Sequence, residues 1–373
     1  MDNQKNGISP YTVNLSTGAL RQMVNVVHDL QNLSENPNYP LILPKLPETA
    51  QINSGHYSVL MGYDFHIDDS QQVKLIEVNT NAGGLWFAVR CYLPDAQQFP
   101  GKLASKLLNT FIDEYRLFRQ NNNAQPKFIA IIDQQPQQQF LFPEMQVFAQ
   151  LFEQAGIKTV IIDPSEIEVK DTRLYYQEQI IDLIYNRHCD FYLNTPEMQH
   201  IARAWQQQSV CITPNPRVYG LLADKQRMID WSRPDFLNHL LAPKIATRLQ
   251  AAIPETHLLQ SLAKDTLWST RKQMVFKPTT SYASRGVYIG NKLTKNKFNS
   301  FDPLETLVQQ RIKPTTTLTP DGEKFKTDFR LFVYRNKIIN VCARLYQGQV
   351  TNLRTHKGGF SKIKFNSNDI TNL

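Results

Sequence analysis

The sequence is poor in cysteine and has no long apolar run. Its four cysteines, at positions 91, 189, 211 and 342, show no Cys-x-x-Cys spacing. Neither a disulfide framework nor a structural zinc site is therefore supported, and buried thiols are expected. No stretch reaches the roughly 18 uncharged apolar residues that a membrane-spanning helix requires, and the first residues, MDNQKNGISPY, lack the apolar core of a secretory signal. We therefore expect a cytoplasmic protein with no membrane partner.

Signatures of several functional classes are also missing. The chain has no Gly-x-Gly-x-x-Gly fingerprint, which argues against dinucleotide binding of the Rossmann type. No Ser-His-Asp or Cys-His pattern indicates a covalent nucleophile. Lysine and arginine total 41 against 33 acidic residues, a net charge of +8. The basic residues form no run and no helix-turn-helix, zinc-finger or RNP pattern, which argues against nucleic acid as a partner. Bound phosphate esters would suit the excess equally well.

Length and composition indicate an ordinary globular protein of more than one domain. The 373 residues predict two to three domains at about 150 residues per domain. With 41% hydrophobic and 20% charged residues, the composition excludes fibrous and fully disordered classes. The chain is expected to divide into segments 1–124, 125–212, 213–310 and 311–373, and composition shifts abruptly at the polar linker 120–126 before the second of them.

The first segment is expected to hold a helix and a hairpin. Apolar residues recur at three- and four-residue steps from Gly18 to Leu33, which predicts an amphipathic helix. The β-rich runs 57–67 and 73–79 flank the polar turn 68–72, which is typical of a β-hairpin. Helix formers dominate residues 85–118.

The second segment begins after a polar linker, 120–126, and alternates strands with a helix. Its predicted strands are 128–132, 159–162 and 180–185, with a helix at about 143–155. This alternation predicts a small parallel α/β sheet within about 125–210. The fold class expected for the whole chain is accordingly α/β, with an α+β mixture outside this sheet.

The third and fourth segments are again mixed. A helix is predicted around 219–231 and strands at 274–277, 286–289 and 307–310. Residues 328–334 and 338–346 predict a hairpin around Arg335-Asn336-Lys337.

The most specific motif combines two acids with an amide on the first hairpin. With the turn centred between Ser70 and Gln71, Asp64 lies opposite Glu77, and Asn79 follows on the same face. Opposed Cβ atoms lie about 4.5–5.5 Å apart, so a cation is needed to offset the repulsion, and oxygen ligands favour magnesium or manganese. The alternative is a solvated polar face. The following Gly83-Gly84 favours a ligand site, because glycines let the backbone approach a ligand closely.

Two lysines form a second pattern. Lys277 lies on the apolar strand Val275-Phe276-Lys277-Pro278, which precedes a small-residue loop containing Ser281 and Ser284. Such a loop can cover phosphates with hydroxyl and backbone N–H donors. Lys225 falls in the helix predicted about fifty residues earlier. The alternatives are an edge-strand lysine and a solvated helix lysine.

A third pattern clusters basic residues, an amide and two glycines near the end of the chain. It comprises Asp328-Phe329-Arg330, Ala343-Arg344-Leu345-Tyr346 and the segment 351–359, which contains Asn352, Arg354 and the pair Gly358-Gly359. This composition is typical of an anion-binding loop. The alternative is a basic surface loop.

Together these motifs resemble the ATP-grasp superfamily, whose members bind ATP between two subdomains with two lysines and hold magnesium with an acid and a Glu-x-Asn motif. In this chain Glu77-Val78-Asn79 precedes the lysines by some 150 residues, whereas in most members it comes last. This order resembles circularly permuted members, and in particular the eukaryotic-type glutathione synthetase. The resemblance covers about 55–362 and is carried by Leu75–Thr80, Phe276-Lys277-Pro278 and Leu353-Arg354-Thr355 with Gly358-Gly359.

The resemblance implies a permuted ATP-grasp fold with residues 125–212 as a substrate-side domain. It assigns the magnesium or manganese ion to Asp64, Glu77 and Asn79. It assigns ATP to Lys225, Lys277, the loop serines Ser281 and Ser284, Gln309, Gln310 and Ile312 at the adenine, and Asn352, Gly358 and Gly359 in a closing loop. Substrate binding falls to Asn81, Asn186, Arg187 and Arg354, and catalysis to Lys277, Arg344 and Arg354.

Three positions depart from the family pattern. Ser281 stands where an acid is expected four residues after the strand lysine, and Gly62 stands where an arginine is expected two residues before the first metal acid. Residues 133–140, rich in glutamine, replace the family's substrate loop. Arg344 is a candidate to replace the missing phosphate arginine.

The function implied is an ATP- and magnesium-dependent carboxylate–amine ligase that works through an acylphosphate. A small-molecule kinase on the same scaffold and a non-catalytic ATP-binding interaction protein are the alternatives. The expected partners are ATP with a carboxylate and an amine whose identities the sequence does not specify, and a homodimer is left open.

Overall fold

The structure is a computed structural model that describes residues 7–279, 286–353 and 355–365. It is a mixed α and β fold with several sheets. The strands of the described residues are β1 (Ile8–Leu15), β2 (Met61–Ile67), β3 (Val73–Asn79), β4 (Phe128–Ile132), β5 (Lys158–Ile162), β6 (Glu168–Lys170), β7 (Arg173–Tyr176), β8 (Gln179–Ile180), β9 (Leu183–Asn186), β10 (Cys211–Thr213), β11 (Thr256–Leu258), β12 (Met274–Pro278), β13 (Tyr288–Ile289), β14 (Thr306–Gln310), β15 (Thr315–Leu318), β16 (Lys324–Tyr334), β17 (Lys337–Tyr346) and β18 (Gly359–Phe365).

The helices complete the mixed fold. They are α1 (Thr17–Glu35), α2 (Tyr39–Ile42), α3 (Glu48–Gln51), α4 (Leu85–Tyr92), α5 (Gly101–Arg119), α6 (Phe142–Gln154), α7 (Gln199–Gln206), α8 (Pro216–Val218), α9 (Arg227–Ser232), α10 (Pro234–Asn238), α11 (Pro243–Ala252), α12 (Lys264–Thr270) and α13 (Lys295–Asn299), with a π-helical segment at Tyr219–Ala223.

The largest sheet carries the predicted hairpin and lies between two hydrophobic cores. Its order is β1-β18-β17-β16-β2-β3, with β15 also paired to β16. Alternation along β16 sends Leu331 and Val333 into the core that contains α1, and Phe332 and Tyr334 into the opposite core with α4, α5 and α6. Because both faces are covered, β16 is buried over nearly its whole length.

The second sheet is the small parallel sheet that the sequence predicted. Its order is β10-β9-β4-β5, and every neighbouring pair is parallel. Helix α6 joins β4 to β5, close to the predicted bounds. A three-stranded antiparallel sheet, β6-β7-β8, was not predicted because its strands are only two to four residues long.

The third sheet, β11-β14-β12-β13, is antiparallel. Phe276 of β12 pairs with Val308 of β14, and both enter a small core of their own. Because strand residues alternate between faces, Lys277 and Gln309 point to the other side, toward the largest sheet.

The helix predicted around 219–231 is interrupted, so the assignment of Lys225 to a helix is wrong. The π-helical segment ends where the Asp224 N–H donates to the Tyr219 carbonyl at 2.8 Å. The Asp224 carboxylate then accepts from the Gln226 N–H at 2.9 Å, and α9 begins at Arg227. This local capping bond competes with a continuous helix and leaves Lys225 in a turn.

The parallel pairing of β1 with β18 joins the two ends of the described chain. The Phe360 N–H donates to the Gly7 carbonyl at 2.7 Å. A Cβ on Gly359, whose φ is +104°, would lie 2.3 Å from that carbonyl. Only glycine fits such an approach.

All four cysteines are free thiols, and Cys91, Cys211 and Cys342 are buried, as expected. In the described ranges, no helix combines the length and apolarity needed to cross a membrane.

Candidate functional site

A cleft with two adjoining lobes lies between the hairpin β2–β3 and the sheet that carries Lys277. Both lobes are lined by Ile76, Glu77, Lys277, Val287 and Gln309. The first lobe continues past Asn79 to the π-helical segment and Lys225. The second continues past Asp64 to Arg344 and to residues 310–312. The fold therefore collects into one cleft most of the residues that the sequence singled out from separate segments.

The register of the hairpin is the predicted one at the cleft. Asp64 pairs with Glu77, and Gly62 pairs with Asn79. Toward the turn the register shifts, since Phe65 pairs with Leu75 and Ile76 is the extra residue of a bulge. The Asn79 amide nitrogen lies 3.4 Å from both the Asp64 Oδ2 and the Glu77 Oε1.

Two arginines neutralise Asp64. Arg330 Nε and Nη2 each donate to Asp64 at 2.6 Å, and Arg344 Nη2 lies 3.0 Å from Oδ2. Burial would raise the pKa of Asp64, but the two guanidinium groups outweigh it and hold that pKa well below its usual range. Three of the four contacts to this carboxylate, from Arg330 Nη2, Arg344 and Asn79, fall on Oδ2, and one, from Arg330 Nε, falls on Oδ1.

Arg344, the predicted catalytic arginine, is fixed from two sides. Its Nε donates to Asp328 Oδ1 at 2.6 Å, and Asp328 also accepts from the Thr351 hydroxyl at 2.5 Å. Burial opposes the charge on Arg344, but Asp328 and Asp64 raise its pKa further above the ordinary value. Arg344 is thus a permanent cation in the wall of the second lobe.

Lys277 is the buried cation at the junction of the lobes. Its Nζ donates to Gln309 Oε1 at 2.7 Å and lies 3.4 Å from the Ile76 carbonyl oxygen. Burial lowers the pKa of Lys277 to about 8; the Lys225 ammonium adds to the fall, while Glu77 and Asp64 oppose it. An anion placed here would restore the charge of the ammonium.

Lys225 lies in the wall of the first lobe, together with Glu77 and Asn79. Burial lowers the pKa of Lys225, and the Glu77 carboxylate opposes that fall. Two ammonium groups from different segments therefore lie near the same carboxylate, Glu77.

The predicted adenine segment borders the second lobe. Gln309, Gln310 and Ile312 all line it. Gln309 is held by Lys277 and by the Thr256 hydroxyl, to which its amide nitrogen donates at 3.3 Å. The Ile312 carbonyl is bound by His66 Nδ1 at 3.1 Å.

The predicted substrate residues Asn81, Asn186 and Arg187 meet at a different place, where the parallel sheet contacts the loop after β3. Arg187 Nη1 donates to the carbonyls of Asn81 and Ala82 at 3.2 and 3.4 Å, and the Asn81 amide donates to the Arg187 carbonyl at 3.2 Å. Arg187 Nη2 lies 3.8 Å from Glu144, both side chains being buried. The Asn186 carboxamide accepts from the His188 N–H at 3.0 Å. These bonds fasten the loop to the sheet.

Only part of the predicted anion-binding loop borders the cleft. Thr351 lines the second lobe, whereas Asn352 is exposed, and its carbonyl accepts from Thr355. Gly358 and Gly359 serve close packing, because a Cβ at Gly358 would lie 2.6 Å from the Leu345 carbonyl oxygen. Gly359 opens β18 rather than lying in a loop. The predicted site residues Ser281, Ser284 and Arg354 lie outside the described residues.

The sequence grouped Asp328 and Arg330 with the anion-binding pattern but gave neither a role at the predicted site. Both lie on one face of β16. Their role depends on the pairing of Arg330 with Asp64 across β2 and β16, which no local pattern contains.

The predicted metal site, Asp64 with Glu77 and Asn79, has two acids and one amide as its donors. Within the described ranges no group of three or more His, Cys, Asp or Glu side chains could hold a metal ion. Glu77 and Asn79 are half-buried, line the first lobe and supply oxygen ligands of the kind magnesium takes.

Comparisons with known proteins show the fold alone. No family model matches the sequence, and no curated protein matches it. Among solved structures, the chain is similar to a glutathione synthetase-like effector from Globodera pallida in its apo form, with 13% identity and a TM-score of 0.60, over 95% of this chain and 89% of that one. It is also similar to a candidate gamma-glutamylcysteine synthetase from Methylobacillus flagellatus KT, with 10% identity and a TM-score of 0.52, over 92% and 87% of the two chains. The chain thus has a glutathione synthetase-like fold.

Proposed function

We propose that the protein is an ATP- and magnesium-dependent carboxylate–amine ligase built on a circularly permuted ATP-grasp fold. The observation that carries the proposal is the cleft in which Lys277 and Lys225 act on Glu77, beside Asn79, between two separate sheets. Lys277 and Lys225 can each donate charge-assisted hydrogen bonds to phosphate oxygens, so the cleft favours binding of a polyphosphate. The similar structures are named as synthetase-like proteins, which supports the same kind of reaction.

The residues present fit a magnesium ion held jointly with phosphate oxygens. Glu77 would supply a carboxylate oxygen, and Asn79, whose amide nitrogen faces the two acids, would supply its amide oxygen. Magnesium is commonly bound by one or two carboxylates together with substrate phosphates. Asp64 fits the ion less well, because two guanidinium groups already neutralise its carboxylate. The ion would offset charge on the β- and γ-phosphates.

The chemistry assigned to the chain is mainly positioning. Lys277 and Lys225 would hold the phosphates, and Arg344, fixed by Asp328, would face the transferred group. A substrate carboxylate oxygen attacks the γ-phosphorus, the bond to ADP breaks, and an acylphosphate forms. The amine then attacks the acyl carbon, the carbon–oxygen bond to phosphate breaks, and the amine loses a proton.

Gly62 stands where the resembled family carries an arginine, and in the fold another arginine lies beside it. A Cβ at Gly62 would lie 2.6 Å from the Ala82 Cβ and 3.5 Å from Arg330 Nε. The guanidinium of Arg330 therefore lies beside the position where the family carries an arginine. We infer that Arg330 supplies this charge from the neighbouring strand.

The test is release of ADP and phosphate by purified protein given ATP, magnesium, and pools of carboxylates and amines. Turnover should need both an acid and an amine, and Lys277→Met should abolish it. Lys74→Met is the matched control, because Lys74 lies on β3 outside the lining of the cleft and bonds to the Ala251 carbonyl at the surface. A stable phosphorylated product formed without an amine would indicate a kinase instead. ATP binding without turnover under any pool would indicate a non-catalytic protein.

A further inference from the structure

Basic side chains that are scattered in the sequence meet on one side of the sheet β11-β14-β12-β13. The turn at Arg271–Gln273 packs against the turn at Gly290–Lys292, so closely that a Cβ on Gly290 would lie 1.8 Å from the Arg271 carbonyl oxygen. Arg271 Cζ and Lys295 Nζ lie 3.7 and 4.7 Å from the centre of the Trp268 ring. We call this surface the basic face; it comprises Arg271, Lys272, Lys292, Lys295 and Lys297.

The charge of the basic face is not neutralised by the protein. Lys272, Lys292 and Lys295 are exposed, and Arg271 and Lys297 are half-buried. In the part of the chain that the structure describes, none of the five forms an ion pair with an acid. Unpaired like charges this close repel one another, which an anionic partner would relieve.

The basic face continues to the mouth of the cleft. The Arg311 N–H donates to the Gln273 carbonyl at 2.7 Å, and Arg311 lines the second lobe together with Lys326. Burial lowers the pKa of Lys326, and the nearby charges of Arg311 and Lys292 add to that effect. Lys292, Arg311 and Lys326 therefore place positive charge between the basic face and the cleft.

The aromatic rings of this surface already contact the protein's own cations. Arg271 and Lys295 lie over Trp268, and Lys297 lies 4.7 Å from the centre of the Tyr288 ring. Single-stranded nucleic acids are bound largely by base stacking on free aromatic faces, which these cations would obstruct. An acidic peptide, by contrast, can bind through its carboxylates to these cations without any free aromatic ring.

We propose that the basic face is a docking surface for an acidic peptide, which it guides toward the cleft. The docking itself follows from the charges of the surface. That a carboxylate of the docked peptide is the substrate activated by ATP rests on the proposed function.

The experiment measures binding of a fluorescein-labelled oligo-glutamate peptide by fluorescence anisotropy. The test variant carries Lys272→Glu, Lys292→Glu and Lys295→Glu. The control carries Lys45→Glu, Lys102→Glu and Lys244→Glu, which reverse the same charge at exposed lysines outside the basic face. The test variant should bind about tenfold or more weakly than the wild type, and the control should bind nearly as well as the wild type. Binding should weaken as salt rises from about 0.1 M to 1 M.

Three outcomes would overturn the proposal: no binding by the wild type, equal loss in both triple variants, or tighter binding of a single-stranded oligonucleotide of the same charge. A thermal melt checks that both triple variants fold. A variant that does not fold is replaced by one with glutamine instead of glutamate at the same three lysines. The two proposals fail separately. Peptide binding without ADP release on any substrate would remove the ligase proposal, whereas turnover of small acids without peptide binding would remove the docking surface.

Discussion

Arg330 and Asp64 form a bidentate ion pair across the strands β16 and β2, with both N–O distances at 2.6 Å. Arg344 joins the same carboxylate from β17 and is itself held by Asp328. Four buried charges therefore alternate along three strands at the floor of the cleft. This network offsets the repulsion that Asp64 would otherwise exert on Glu77, which it faces across the hairpin.

Asp64→Asn should destabilise the protein strongly. The change leaves two buried guanidinium groups with less compensation, and breaking a buried pair costs about 3–5 kcal/mol. Urea unfolding at neutral pH measures this loss. Asp113→Asn is the control, since its pair with Arg116, at 3.7 Å, is largely exposed and should contribute less than about 1 kcal/mol. Unchanged stability together with lost magnesium binding would instead make Asp64 a metal ligand.

The sequence could predict the part of the site that depends on local pairing. Hairpin register follows from the turn and from strand alternation, so the contact between Asp64 and Glu77 was accessible. Asp64 and Arg330, by contrast, are 266 positions apart, and their strand pairing has no local signature. The same reason hid the pairing of β1 with β18.

At Lys225 the sequence failed to predict the backbone conformation, for a different reason. Its helical context was predicted from apolar periodicity, but the side chain of Asp224 bonds to the Gln226 N–H and ends the helical path. Such capping bonds are local, yet whether they prevail over a continuous helix depends on tertiary packing. The presence of the lysine in the cleft was predictable; its backbone conformation was not.

Nucleotide affinity should fall as the pH rises through about 8. The buried Lys277, whose pKa is lowered to about 8, is charged below that pH and loses its proton above it. Because a polyanion binds the charged form better, affinity should decrease by at most about tenfold per pH unit. Calorimetric titration with a non-hydrolysable ATP analogue and magnesium, at constant ionic strength, measures the trend. Lys277→Arg, which stays charged, should give a nearly flat profile between pH 7 and 9, and an equally steep profile there would show that another group titrates.

Gly62→Ala should destabilise the protein and weaken the site. The new methyl group would lie 2.6 Å from the Ala82 Cβ, so the loop after β3 must shift, and overpacking of this kind costs about 1–3 kcal/mol. Since that loop directly follows Asn79, affinity for magnesium and nucleotide should fall as well. Gly101→Ala is the matched control, because a Cβ there meets no atom within 4 Å at the start of α5. Equal melting temperatures for the two variants would contradict the close contact.

Arg187→Ala should lower the stability of the protein, because Arg187 has a structural role in the fold. The arginine binds the carbonyls of Asn81 and Ala82 and lies 3.8 Å from the buried Glu144. Its loss leaves Glu144 bound only to the backbone N–H groups of Gly84 and Trp86. Burial raises the pKa of Glu144, and Arg187 opposes that rise, so the variant's loss of stability should become smaller as the pH falls and Glu144 takes up a proton. Unfolding curves at pH 7 and pH 5 test the sign. A variant that melts like the wild type at both pH values but has a raised KM for the carboxylate would show that Arg187 binds substrate directly, as the sequence predicted.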